Sequence, residues 1–343
     1  MVRRSFAASL TRAYRRNLGA MAKATVKASV KNATRAAGQV SKQAARAAAE
    51  QLRPPPGDGD WLGGVAVGPG GARRYHLFRP ARLRFAFAET PPLMVMLHGC
   101  GQTGRGFAAA TRMNSLAARE GFLVLYPEQE LLAHSNNCWN WYDVASGKSL
   151  AEAATLMAAI DQVCLLYRAD PARVAVAGLS AGAGMAALLA THYPARFKAV
   201  VMHSGVAPGA ATSPKMALGA MRGQRAPSIP RTLGLPPLLV LHGDRDAVVS
   251  SRNAVAAAAM WAVAMDARPA GTRAVQRGRR HAMRVTDFKR RGRTMVTLCD
   301  VTGLGHAWSG GAPKHAYSDP EGPDATRMAW AFAARQFRAT PAR

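Results

Sequence analysis

From residue 61 onward the chain alternates between two hydrophobic patterns. Short, almost wholly apolar runs at Leu93–Leu97, Phe122–Tyr126, Arg173–Ala177, Ala199–His203, Leu238–His242 and Met295–Cys299 read as strands. Strands without a polar face are buried on both sides, as in a mostly parallel sheet. Between them, Leu150, Ala153, Met157, Ile160, Cys164 and Tyr167 keep helical spacing, as do Met185, Leu188 and Leu189. The alternation predicts an α/β domain over 61–338, with helices on both faces of the sheet. No repeat of about 20–50 residues is visible, which sets aside solenoids and propellers. No run of about eighteen apolar residues occurs either, so no transmembrane segment is expected.

Residues 1–53 follow a different rule. They are Ala-rich, lack Pro and hold 12 Lys or Arg against one acid, Glu50. Lys23, Lys27, Lys31 and Arg35 recur every four residues, a row about 18 Å long on a helix. Val26, Val30, Ala33, Ala37, Val40 and Ala44 form a weak apolar stripe on another face. This basic helical extension is either a solvated tail or a means of lying on an anionic surface such as lipid headgroups, nucleic acid or a coated polymer granule; no specific nucleic-acid motif is present. Residues 54–60, Pro- and Gly-rich, read as a linker, and 339–343 as a tail. Arg3-Arg4-Ser5-Phe6 has the look of a twin-arginine export signal without the apolar core that must follow, which points to the cytoplasm.

Charge adds a second boundary. The whole chain carries 46 Lys plus Arg and 19 Asp plus Glu, a formal charge of +27. Ten of the basic residues lie between Arg268 and Arg293 with only Asp287 against them. That stretch reads as an exposed Arg-coated hairpin or insertion, with an anionic ligand or surface as the alternative.

Two glycine motifs compete to supply the chemistry. Residues Gly99 to Gly104 fit GxGxxG after a strand, but no acid ends the next strand about twenty residues on and no Lys-Ser/Thr follows, so a nucleotide cofactor site is weakly supported and no cofactor or metal is expected. Gly178-Leu179-Ser180-Ala181-Gly182 is stronger. It follows an apolar strand and opens an Ala-rich helix, the setting in which a sharp turn lifts a serine hydroxyl clear of the sheet at a helix N-terminus. Residues two before and two after must be small, because the strand and helix they join approach closely.

A serine needs a base and an orienting acid. Leu238–His242 runs into Asp244 and Asp246, and the last strand into Gly305-His306-Ala307-Trp308. Asp246 is farther out on its loop and better placed to reach an imidazole, whereas Asp244 suits capping the turn. His306 alone among nine histidines sits in a Gly-flanked loop beyond the last strand. Ser180, Asp246 and His306 are the candidate catalytic residues.

The motifs His98-Gly99-Cys100-Gly101-Gln102, Tyr126-Pro127-Glu128-Gln129, Cys138-Trp139-Asn140-Trp141, Gly178–Gly182, His242-Gly243-Asp244 with Asp246, and Gly305–Gly311 together resemble the polyhydroxybutyrate depolymerase family of esterases, related to feruloyl and acetylxylan esterases. The resemblance covers residues 75–338. It implies the α/β-hydrolase fold, a serine carboxylic-ester hydrolase acting on short-chain hydroxyalkanoate esters, the Ser180–Asp246–His306 triad, and an oxyanion hole of the Cys100 and Ala181 amides. It also implies a pairing of Cys100 with Cys138 in an oxidising compartment, leaving Cys164 and Cys299 as small core residues. Family members are often secreted, which sets an extracellular location against the cytoplasmic one. Trp139, Trp141 and Trp308 are candidate acyl-pocket residues, with core packing as the alternative. With the chain ending at Arg343, no separate polymer-binding domain is expected, which favours oligomers or amorphous polymer as substrate. The competing readings are a surface-binding protein working through its basic tail and a nicotinamide-dependent enzyme.

Overall fold

Six parallel strands make the centre of a ten-stranded sheet, and the residues of each strand feed two separate cores. The computed structural model describes residues 54–84, 90–228 and 234–339; the predicted basic helix at 1–53 and the chain end from 340 lie outside the described residues. The strands are β1 (Gly59–Gly68), β2 (Gly71–Pro80), β3 (Leu93–Leu97), β4 (Leu123–Pro127), β5 (Val174–Leu179), β6 (Ala199–His203), β7 (Leu238–Gly243), β8 (Arg268–Val275), β9 (Met283–Arg290) and β10 (Arg293–Val301). Their order is β1-β2-β4-β3-β5-β6-β7-β10-β9-β8. From β4 to β10 all neighbours are parallel, while β1–β2 and β9–β8 add antiparallel hairpins at the two ends. A short parallel pair, β11 (Trp308–Ser309) and β12 (Ser318–Asp319), lies apart from the sheet order.

Seven α-helices complete the described chain: α1 (Gly104–Thr111), α2 (Met113–Glu120), α3 (Lys148–Tyr167), α4 (Ala181–His192), α5 (Pro214–Met221), α6 (Arg252–Ala264) and α7 (Ala325–Arg338). Side chains alternate across each strand, so Leu93, Val95, Val176, Val200 and Val240 join α3, α4 and α6 in one core. Met94, Met96, Ala177, Val201 and Leu241 join α1, α2 and α7 in the other. The predicted strands therefore recur in place, with ends shifted by one or two residues.

Two features differ from the sequence reading. Residues 55–60 are not a free linker: Pro55 is buried, the Pro56 carbonyl accepts from Ser115 Oγ at 3.3 Å, the Asp58 carbonyl accepts from the Ala81 amide at 3.1 Å, and β1 begins at Gly59. Among the described residues one helix, α3, is long and apolar enough by length and composition to cross a bilayer, with a mean hydropathy of 1.4. It is a sheet-covering helix, because Ala153, Leu156, Ala159, Ile160 and Val163 are buried in the core and its Glu152 is buried among hydrogen-bond partners.

Candidate active site

The parallel strands end on one edge of the sheet, and the loops leaving them carry the candidate residues. Ser180 follows β5 with φ +56° and ψ −118°, a left-handed backbone that a non-glycine residue adopts only when its surroundings hold it there. The surroundings do so by close approach. A Cβ on Gly178 would collide with the Gly182 backbone, and one on Gly182 with the Leu97 carbonyl oxygen, so both positions require glycine. α4 then begins at Ala181, its free amides facing the turn.

His203 ties the nucleophile turn to the histidine loop. Its carbonyl accepts from the Ser180 amide at 2.9 Å, and its ring Nε2 accepts from the Ser309 amide at 3.1 Å. The ring stacks on Trp308 with centroids 5.0 Å apart. Complete burial, with His242 and His306 nearby, drives its pKa down to about 3. A neutral ring accepting at Nε2 carries its proton on Nδ1, next to Ser204 Oγ at 3.2 Å.

Asp246 and His306 meet directly. His306 Nδ1 lies 2.7 Å from Asp246 Oδ2, with the carboxylate fully buried and the imidazole 9% exposed. The other carboxylate oxygen accepts from the amides of Val248 at 2.9 Å and Val249 at 2.8 Å. His242 Nε2 is within 3.2 Å of Asp246 Oδ2 and 2.9 Å of the Val249 carbonyl, so it donates. Burial pushes the Asp246 carboxyl up. Hydrogen bonds from His242 and His306, the field of His306 and the Val249 amide outweigh it and hold the group well below the usual carboxylate range. Asp244 instead accepts from the Gly303 amide at 2.7 Å and fixes the start of the histidine loop. With Nδ1 donating to Asp246, His306 keeps its Nε2 lone pair for a proton. Among the described residues the Ser180 hydroxyl makes no hydrogen bond.

The loop after β3 closes the third side. A Cβ on Gly99 would lie 3.5 Å from the Ser180 Cβ, which places this backbone directly beside the nucleophile. Gln102 Oε1 accepts from the Gly99 amide at 2.8 Å, and Gly101, at φ +70°, donates to Asn136 at 2.8 Å. Among the described residues neither the Cys100 nor the Ala181 amide donates to a protein acceptor. Cys100 is joined to Cys138 by a disulfide. Cys299 is buried and Cys164 half-buried.

Beneath that loop, His98 is fully buried and burial lowers its pKa to about 4. Its Nδ1 donates to the Gly99 carbonyl at 2.8 Å and its Nε2 accepts from the Gln129 amide at 3.1 Å. Gln129 Nε2 in turn donates to Glu152 at 2.7 Å, and Glu152 also accepts from the Asn140 amide at 2.9 Å. Arg73 Nη2 approaches the same carboxylate at 3.6 Å, so the charge is paired inside the protein.

The tryptophans separate. Trp139 is fully buried and donates to the His98 carbonyl at 3.0 Å; Trp308 is fully buried and donates to Thr326 Oγ1 at 3.0 Å. Both indoles are sealed from solvent and brace loops through their N–H groups. Trp141 does border a cavity of about 270 Å³, with Val144, Gly184, Leu188 and Val206. The sequence reading gave no role to His203, His242 or Gln102. His203 and His242 fall near the ends of strands, a position that could have marked them. Among the described residues no group of three or more His, Cys, Asp or Glu is placed to hold a metal ion.

Comparison with known proteins adds the lineage. The family model described as esterase PHB depolymerase matches residues 74–277, more than half of the chain. The chain belongs to the PHB depolymerase esterase family. Within it, similarity extends to poly(3-hydroxyalkanoate) depolymerase C of Paucimonas lemoignei, 30% identical over 184 residues, 47% of this chain and 42% of that protein. It extends also to feruloyl esterase B of Neurospora crassa, 35% identical over 140 residues, 39% of this chain and 44% of that protein. The chain thus spans less than half the length of these two curated relatives. Among solved structures, the acetyl xylan esterase from Aspergillus awamori superposes with a TM-score of 0.61 at 20% identity, covering 74% of this chain and 96% of that one. At that identity the match speaks to the fold, which is the α/β-hydrolase fold that the family resemblance implies.

Proposed function

We propose that this member of the PHB depolymerase esterase family is a serine carboxylic-ester hydrolase with a Ser180–His306–Asp246 triad. The observation that carries the reading is the bracing of two distant loops by one residue. His203 accepts from the Ser180 amide with its carbonyl and from the Ser309 amide with its ring, while Asp246 holds His306 at 2.7 Å.

In this mechanism Ser180 Oγ attacks the ester carbonyl carbon as His306 Nε2 takes the hydroxyl proton. The buried carboxylate of Asp246 stabilises the imidazolium that forms. The oxyanion is received by the amides of Cys100 and Ala181, each such donor being worth about 3–4 kcal/mol. Collapse breaks the C–O bond, His306 returns the proton to the leaving alcohol, and an acyl-enzyme remains. Water then attacks the acyl carbonyl, giving its proton through His306 to Ser180 and freeing the acid. This mechanism requires the Ser180 hydroxyl to reach His306 Nε2 in the substrate complex, where such bonds tighten.

The substrate favoured by the likeness to the Paucimonas depolymerase is a short-chain hydroxyalkanoate ester such as an oligomer of 3-hydroxybutyrate. Feruloyl or acetylxylan esters are the second reading, favoured by the 35% identity to feruloyl esterase B. Hydrolysis of p-nitrophenyl butyrate, with fluorophosphonate labelling at Ser180, tests the reaction; a folded protein that is neither active nor labelled refutes it. A panel of 3-hydroxybutyrate oligomers, feruloylated sugars and acetylated sugars tests the substrate. For residues 1–53 we propose docking to an anionic surface, tested by salt-sensitive binding that their deletion abolishes while leaving the rate on soluble esters unchanged.

A further inference from the structure

The Arg-rich stretch that the hydrolytic site leaves unused forms a trough against α7. That helix packs over β6 and β7 and stops short of β8 and β9, which carry the sheet beyond it. Two cavities of about 510 and 360 Å³ lie there. They share Val275, Arg277, Met283, Met328 and Ala331, so they adjoin along one wall of side chains. The floor is apolar, with Val285 and Phe332 buried at its inner end.

The rim is basic. Arg273, Arg277, Arg280, Arg327 and Arg335 line it, against Asp287 and Asp324. Both acids are already engaged. Asp287 pairs with Arg273 and accepts from Thr297 Oγ1 at 2.7 Å, and Asp324 accepts from the Arg327 amide at 3.0 Å at the start of α7. Arg280 is held by the Gly322 carbonyl at 2.6 Å. Arg277 is exposed and its guanidinium, among the described residues, has no partner.

We propose that this trough binds a single-chain aliphatic carboxylate, its hydrocarbon tail on the Val275, Met283 and Met328 floor and its carboxylate on the Arg277 guanidinium. The volumes fall in the range of small-molecule sites, and a guanidinium matches a carboxylate in a two-bond fork. A neutral ligand would leave the positive rim uncompensated, and a polyanion would leave the apolar floor exposed. A trough flanked by a helix holds one chain, where a bilayer needs an open face. Ser180 takes no part, so the outcome stands whether or not the chain hydrolyses esters.

Calorimetric titration of the full chain with octanoate, its neutral counterpart 1-octanol and 3-hydroxyoctanoate, which has no ester bond to cleave, tests the site. The two anions distinguish a plain fatty acid from an acid of the kind ester hydrolysis releases. Expected is saturable one-to-one binding of at least one anion, tenfold or more weaker for 1-octanol. Arg277→Glu and Ala331→Trp, both at exposed positions, should each weaken that anion's binding tenfold or more without lowering the melting temperature; the second fills the trough. The proposal is overturned if neither anion binds, if 1-octanol binds as tightly, or if either variant stays within twofold of wild type. Sedimentation with phosphatidylglycerol vesicles that Ala331→Trp does not reduce would assign the arginines to a membrane face and also overturn it.

Discussion

The parallel centre of the sheet and its β8–β9 wing are built on opposite terms. Every residue of β3, β4, β5, β6 and β7 is buried, so the strands are apolar runs, with His203 and His242 as hydrogen-bonded exceptions near the ends of β6 and β7, and their ends are fixed by packing on both faces. In β8 seven of eight residues are exposed, and what holds it is its ladder to β9. The centre can therefore hold a serine in strained backbone and aim several loops at one edge, because rigid neighbours over-determine each position. The wing offers charge and a groove instead. Precision in this molecule follows burial on two faces; the charge gathers where only one face is covered.

The largest expected effect strikes at the centre. Asp246→Asn should lower kcat on p-nitrophenyl butyrate by about 10⁴-fold with the protein still folded, because His306 loses its orienting charge; a drop below about tenfold would mean that Asp246 is not the acid of the triad. Gly182→Ala should cost about 3 kcal/mol in denaturant unfolding, since its new Cβ meets the Leu97 carbonyl oxygen, and activity should fall with it. Val176→Ala, in the fully buried β5, should cost about 2–3 kcal/mol.

Acid should weaken the same region. Burial holds His98 at about 4 and His203 at about 3, below the ~6.5 of an unfolded histidine. The unfolded chain then binds protons that the native state refuses, so their contribution is complete above about pH 6.5 and is lost as pH falls toward 4 and then 3. Asp246, also lowered, adds a loss of the same sign that begins near pH 4. Melting temperature should decline from pH 7 to pH 4, and His98→Gln should make that decline shallower even while lowering stability at pH 7. The smallest effect belongs to the wing: Arg273→Ala, on exposed β8, should change stability by less than about 0.5 kcal/mol. A loss comparable to that of Val176→Ala would erase the contrast between the two regions.

How much was legible follows the same division. Leu93–Leu97 and Ala199–His203 were readable to the residue because burial on both faces leaves apolar runs, broken only by the hydrogen-bonded His203 at the end of the second. β1 and β2 were missed, since Gly63 and Gly64 in one and Arg73, Arg74, His76 and Arg79 in the other leave no apolar run to see. Ser180, Asp246 and His306 could be nominated because a sharp turn, a strand end and a Gly-flanked loop each leave a local mark. The tryptophans could not be sorted by the same means. Which loop an indole braces depends on where its N–H finds an acceptor, and those acceptors, the His98 carbonyl and Thr326 Oγ1, are distant along the chain.

By itself the sequence determined the strand core, the turn around residue 180 and the order of the three candidate catalytic residues, because each is set by neighbours within a few positions. Only the tertiary structure decided that His203 joins the serine and histidine loops, that His242 shares the Asp246 carboxylate, and that Arg273 of β8 and Arg277 and Arg280 of the turn before β9 face α7 across an apolar floor. Those are meetings between segments tens of residues apart, and no local pattern encodes a contact whose partner is chosen by the packing of the whole sheet.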